Sequence, residues 1–162
     1  MDELDEPISD SIIREALPDI KVLTYDELGN FLDFDDKGRL VLLYLTGENY
    51  GHWVCLFKHN EIITFHDSYG YKPDSQLKWL QRKTKPKLTQ LLKQSGCTVV
   101  YNPYKLQRDG NKIATCGKHA VHRLRHMEMS VDDYANFVIK NGGDYFIERE
   151  WEKMFPNDDH DT

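Results

Sequence analysis

The sequence has no apolar run approaching the ~20 residues that span a membrane, so no membrane partner is expected. Its opening, "MDELDEPISD", lacks the basic and apolar regions of a secretory signal. Cysteine is scarce. Cys55, Cys97 and Cys116 cannot all pair, which excludes a disulfide framework and suggests a reducing, intracellular setting. Positive charge is also in short supply: a formal net charge of −6 argues against general nucleic-acid binding, because phosphate contacts need a basic surface. Repeats and low-complexity linkers are missing too.

What remains is the make-up of one globular domain: 162 residues, 40% hydrophobic and 30% charged. Its charge is uneven. Acidic residues crowd the first thirty-six positions and the tail "NDDHDT", whereas "KWLQRKTKPKLTQLLKQ" (78–94) is basic. That stretch reads as a solvated helix face, with a docking patch for an acidic partner as the alternative.

Along the chain, "SDSIIREAL" (9–17) suits a short helix stopped by Pro18, and Thr24 with Glu27 forms a capping-box start for a helix over 24–32. "RLVLLYLT" (39–46) reads as a buried strand, Gly47 to Gly51 as a loop, and "HWVCLFKH" (52–59), apolar on both faces, as a central strand. A turn at Lys58 to Asn60 leads into "EIITFHDS" (61–68), an antiparallel partner. "DSQLKWLQRK" and "KPKLTQLLKQSG" predict two helices, with Pro86 near the start of the second and Gly96 at its end. "CTVVYN" (97–102) predicts a strand, and residues 116–128 a helix. In "SVDDYANFVIKNGG", Ser130 suits an N-cap and Gly142 a C-terminal cap. Strands in the middle with helices at both ends predict an α+β domain, with helices packed on a mixed central sheet. It divides into an N-terminal helical segment (1–38), a core (39–140) and a C-terminal extension (141–162).

"IATCGKHAVHRL" (113–124) carries the chemistry. A thiol attacks as thiolate, and a free cysteine with a pKa near ~8.5 holds little thiolate at neutral pH. A helix N-terminus and a neighbouring imidazole both lower that pKa. Cys116 follows Thr115, a plausible N-cap, and precedes Gly117, which has no side chain to block an approaching carbonyl. On a 3.6-residue period Ala120, Leu124 and Met127 share a face, while His119, His122 and His126 fall on the opposite one. His122 and His126 have metal-ligand spacing, but no acid or thiol lies near them in sequence. A solvated basic face is the expectation, and no metal or other cofactor. The base must therefore come from elsewhere. His59 lies in a turn and His160 in the tail, and His66 alternates with Asp67 to the opposite strand face. His52 begins the central strand, within reach of Asp67 at the next strand's end. Read singly, each residue has a plain alternative: core cysteine, backbone-satisfied histidine, turn aspartate.

Taken in order, "GHW", "HDSYG", "YKLQ" and "TCGKHAVHRL" resemble the adenovirus-protease and SUMO-protease superfamily of cysteine peptidases. The form "DSYG" with "LQ…TCG.H" is most similar to the capsid-maturation proteases of double-stranded DNA viruses and virophages. The resemblance covers about residues 39 to 140 and implies a permuted papain-like fold in which His precedes Cys. It also implies His52 as general base, Asp67 as its orienter, Gln107 as oxyanion donor and Cys116 as nucleophile, with Trp53 packed beside the site, against substrate or simply as core. Thr115 departs from the acidic residue that often precedes the Cys. "QRDGNKIATC", with a tight turn suggested at Asp109-Gly110, is longer than usual, which leaves Asn102 and Asn111 as other candidate donors. The function implied is a cysteine endopeptidase cleaving viral capsid precursor proteins inside the host cell and packaged in the virion. The alternatives are an isopeptidase for ubiquitin-like modifiers and a non-catalytic binding domain. The resemblance also implies a taste for Gly-Gly before the cut, which makes self-trimming after Gly143 conceivable, although Gly142 already has a role as a helix cap.

Overall fold

The computed structural model of the chain describes residues 9–45, 51–80, 84–108 and 115–156. Helix α1 (Asp10–Ala16) starts at Ser9, whose hydroxyl accepts from the Ile12 N–H. Strand β1 (Val22–Thr24) follows, so the N-terminal segment is not only helical: β1 joins the sheet parallel to β2 (Arg39–Leu45). Three residues were too few to show as a strand in the sequence. The capping box at Thr24 forms, its N–H donating to Glu27 Oε1 at 2.8 Å, but it opens one 3₁₀ turn (Tyr25–Glu27) rather than a helix to residue 32. Leu28 is already extended there, and its side chain is buried in the core.

The central hairpin is β3 (Gly51–His59) and β4 (Ile62–His66). Its two-residue turn puts Asn60 and Glu61 at φ 50° and 48°, the left-handed pair that a type I′ turn demands. Strand β5 (Thr98–Tyr101) lies parallel to β4 at the edge, giving the order β1-β2-β3-β4-β5 among the described residues. This is an α+β domain with a mixed sheet flanked by helices.

Alternation along β2 and β3 sorts the core into two layers. Leu40, Leu42, Val54 and Leu56 face helix α2 (Lys87–Gln94), which buries Leu88, Leu91 and Leu92, an i, i+3, i+4 stripe. Burying each such leucine contributes roughly 1.5–3 kcal/mol. Val41, Trp53, Cys55 and Phe57 face α1, α3 (Cys116–Leu124) and Trp151 of α5 (Asp144–Met154). A third cluster joins Leu106, α4 (Val131–Asn141) and α5. Ser130 caps α4 by accepting from the Asp133 N–H, and Gly142 ends it at φ 121°.

Two further expectations need correction. In place of the helix expected over 74–83, the described part of that stretch holds a 3₁₀ segment (Ser75–Trp79). The Asp74 carboxylate is taken by Tyr25, Tyr44 and the start of α2 rather than capping a helix. Helix α3 stops at Leu124, not 128: the Arg123 guanidinium donates to the carbonyls of His126 and Met129 and turns the chain. Positions 47–50 of the expected loop, Asp109-Gly110 and Asn111 lie outside the described residues.

Candidate active site

Cys116 is the first residue of α3, and α3 packs on β3. The sulfur accepts a hydrogen bond from the Trp53 N–H at 3.4 Å. One residue earlier on the same strand, His52 places Nε2 2.8 Å from Asp67 Oδ1, leaving Nδ1 for the thiol. Asp67 follows directly on β4 and is fully buried. Its Oδ1 also accepts from the Tyr69 N–H at 2.8 Å, and its Oδ2 from the Gln76 amide at 3.0 Å. A carboxylate with that many donors holds its imidazole in one orientation. The Tyr69 ring stacks on His52 with centroids 4.9 Å apart.

The turn carrying these groups depends on Gly70. Its φ is 84°, and a Cβ there would meet the carbonyl oxygens of Pro103 and Tyr104 at 2.9 Å. No other residue fits without moving the 102–104 segment.

Burial raises the Cys116 pKa, but the charge of His52 and hydrogen bonds from His52 and the Trp53 N–H outweigh it and leave the thiol below its ordinary value. Burial likewise works against a charged His52. The facing Cys116 charge and the bond to Asp67 prevail and push it up to about 10. Each group thus favours the charged form of the other. Cys55 shows the contrast: it is wholly buried in the core without such a partner, and desolvation pushes it up to about 12.

Gln107 is buried beside this group. Its carbonyl oxygen accepts from the Ser68 hydroxyl, and its amide nitrogen lies 3.4 Å from Tyr69 Oη. The amide's orientation is thus set with the NH₂ on the side of the tyrosine that covers His52. Asn102 is not an alternative donor. Its amide is committed to the carbonyls of Asp67 and Tyr104, clamping the turn. Trp53 is only 5% exposed and belongs to the core cluster, and its N–H is what reaches the sulfur.

Thr115 precedes α3, but its hydroxyl donates to Asp144 Oδ1 rather than capping the first turn. Asp144 also accepts from His119 Nε2 at 2.8 Å and from the Arg108 N–H at 2.9 Å, so it ties the residues flanking Cys116 to the segment carrying Gln107. The expected solvated basic face of α3 is accordingly absent. Lys118, His119, His122 and Arg123 are all buried, and α5 answers the first three with Glu148, Asp144 and Glu150. His66, on the face opposite Asp67, sits edge-on to Tyr134.

Sequence reasoning named His52, Asp67, Gln107 and Cys116, and the fold brings all four together. It passed over Gln76 and Asp144. Gln76 carries no local signal. Asp144 follows Gly142-Gly143 at a helix start, where an acid looks like an ordinary dipole partner.

No family model matches the chain. Among solved structures, the central domain of the uncharacterized Lpg1148 protein from Legionella pneumophila aligns over 94% of this chain and 95% of that one, at 14% identity and a TM-score of 0.47. Among curated proteins, the uncharacterized protein V9 of Sputnik virophage is 33% identical over 130 residues, covering 73% of this chain and 74% of V9. That identity, over that share of both chains, means that the chain belongs to the same family as the virophage protein V9.

Proposed function

We propose that the protein is a thiol-dependent endopeptidase with a permuted papain-like arrangement. The observation that carries this reading is the Cys116 sulfur at the start of α3, against the Trp53 N–H and beside an imidazole held by buried Asp67. Sγ attacks the substrate carbonyl carbon, and the carbonyl π pair moves onto oxygen. The Cys116 N–H, in the first helical turn and without a backbone partner among the described residues, and the Gln107 amide are the donors for that oxyanion. His52 gives its proton to the leaving amine as the C–N bond breaks, leaving a thioester on Cys116. Neutral His52 then takes a proton from water, whose hydroxide displaces the thiolate and releases the acid. Asp67 keeps the imidazole in place throughout.

A strip of aromatic rings leads away from this centre: Tyr69 to Tyr71 at 6.0 Å, then Tyr71 to the half-exposed Trp79 at 5.6 Å. It offers an extended substrate a non-polar seat next to the base. Kinship with a virophage protein supports a viral substrate, and capsid precursor is the candidate. Incubating capsid precursors with wild type and with Cys116→Ala, followed by peptide mapping, tests the reading. New termini should appear with wild type alone; identical maps would refute it.

A further inference from the structure

On the flank of the domain a cavity of about 690 Å³ opens between α1, α3 and α5. His122, His126 and Glu150 all line it, and one ligand atom from each lies within 4.8 Å of the others. His122 is 5% exposed, and its Nε2 is buried with no hydrogen-bond partner among the described residues. The nearest acid atom is Glu150 Oε1, at 3.5 Å. A buried ring nitrogen left in this state is unusual, since nearly all buried polar atoms find partners.

We propose that His122, His126 and Glu150 form a binding site for a divalent transition-metal ion of the zinc class. The other nitrogen of His122 is fixed: Nδ1 lies 2.7 Å from the Tyr134 hydroxyl. With Nδ1 as donor to that oxygen, the lone pair of Nε2 points to the cavity, the arrangement that orients ligating histidines. Glu150 supplies the charge. Lys153 occupies its Oε2 at 2.9 Å, while Oε1 faces His122 at 3.5 Å.

Two imidazoles and a carboxylate are a borderline ligand set that suits zinc, with a fourth position open to water from the cavity. Ligand atoms around tetrahedral zinc lie about 3.3 Å apart, given metal–ligand bonds of ~2.0–2.2 Å. The group must therefore tighten by up to about 1.5 Å, and His126, beyond the end of α3, and Glu150 on the cavity rim can supply that movement.

The test uses the full chain as Cys116→Ala, so that the reactive thiol cannot bind the probe. Zn²⁺ is titrated calorimetrically at pH 7.5, and Co²⁺ is followed by its visible absorption. One equivalent should bind, with the intense bands of tetrahedral Co²⁺. Adding His126→Ala or Glu150→Gln should weaken binding at least ~10-fold. Both positions are on the cavity rim, and far-UV circular dichroism verifies that the variants fold. No saturable binding at millimolar Zn²⁺, or binding unchanged in both variants, would overturn the site.

Discussion

At the scale of single residues, the Cys116–His52 pair sets the pH behaviour. The thiol is depressed, so activity falls as pH drops through its pKa and the sulfur gains a proton. His52 is raised to about 10, so the alkaline limb lies near there, where the proton for the leaving amine is lost. A kcat/KM profile should show this broad bell. In His52→Ala, burial and the Asp67 charge raise the thiol against the Trp53 N–H alone, and alkylation of Cys116 should then begin only above the usual thiol range near ~8.5. Mass spectrometry after brief alkylation at several pH values measures it, with Cys55 as the unreactive internal standard. For Gln107→Ala we expect kcat to fall about 10²–10³-fold with KM little changed, while the thiol still alkylates. Steady-state kinetics beside an alkylation assay separates the two effects. Cys116, His52 and Asp67 were candidates on chemistry and position, but the set, and Gln107 in it, was legible only through the resemblance carried by the four ordered motifs. Gln76 was not, since a glutamine donor to Asp67 can arrive from any segment that the fold brings near.

At the scale of elements, α3 and α5 form a unit joined by polar contacts. Replacing Asp144 by Ala strips His119 and Thr115 of a buried acceptor, and should cost about 3–5 kcal/mol in a urea-unfolding measurement. Burial raises the Asp144 pKa, yet the bonds from His119, the Arg108 N–H and Thr115 bring it below the ordinary carboxylate value. Its contribution is therefore complete above an unfolded pKa of about 3.9 and fades as pH falls through the lower folded value. Unfolding curves on either side of pH 4 should show Asp144→Asn to be less acid-sensitive than wild type. This unit was hidden in the sequence. Its bases looked solvent-facing because their acids lie some 25 to 30 residues away. Strands β2, β3 and β4 were legible for the opposite reason: their apolar runs need no distant partner to be recognised. The helix expected over 24–32 failed because a good cap opens a helix but cannot sustain one where the following residues are drawn into the core.

At the scale of the molecule, the C-terminal extension is tied into the candidate site through Asp144. Self-trimming after Gly143 would separate Asp144 from the residues it ties together. The Gly143–Asp144 bond is also held in structure: the Gly143 N–H donates to Val138, its carbonyl accepts from Ile147, and Asp144 is buried. Intact mass after prolonged incubation should stay constant, and loss of the C-terminal fragment would show that α5 is dispensable. The chain order of the site has a further effect, on timing. A ribosome delivers His52 and Asp67 first and Cys116 later, and the Asp144 that ties Thr115 and His119 beside the sulfur comes last. At ~5–20 residues per second, the stretch from His52 to the end of α5 takes roughly 5–20 s to make. During that interval the base has no sulfur to serve, or a sulfur not yet locked in place. On the proposed mechanism, a nascent chain of this protein is therefore expected not to cleave its neighbours on the same polysome until the helix that fastens the nucleophile has been made.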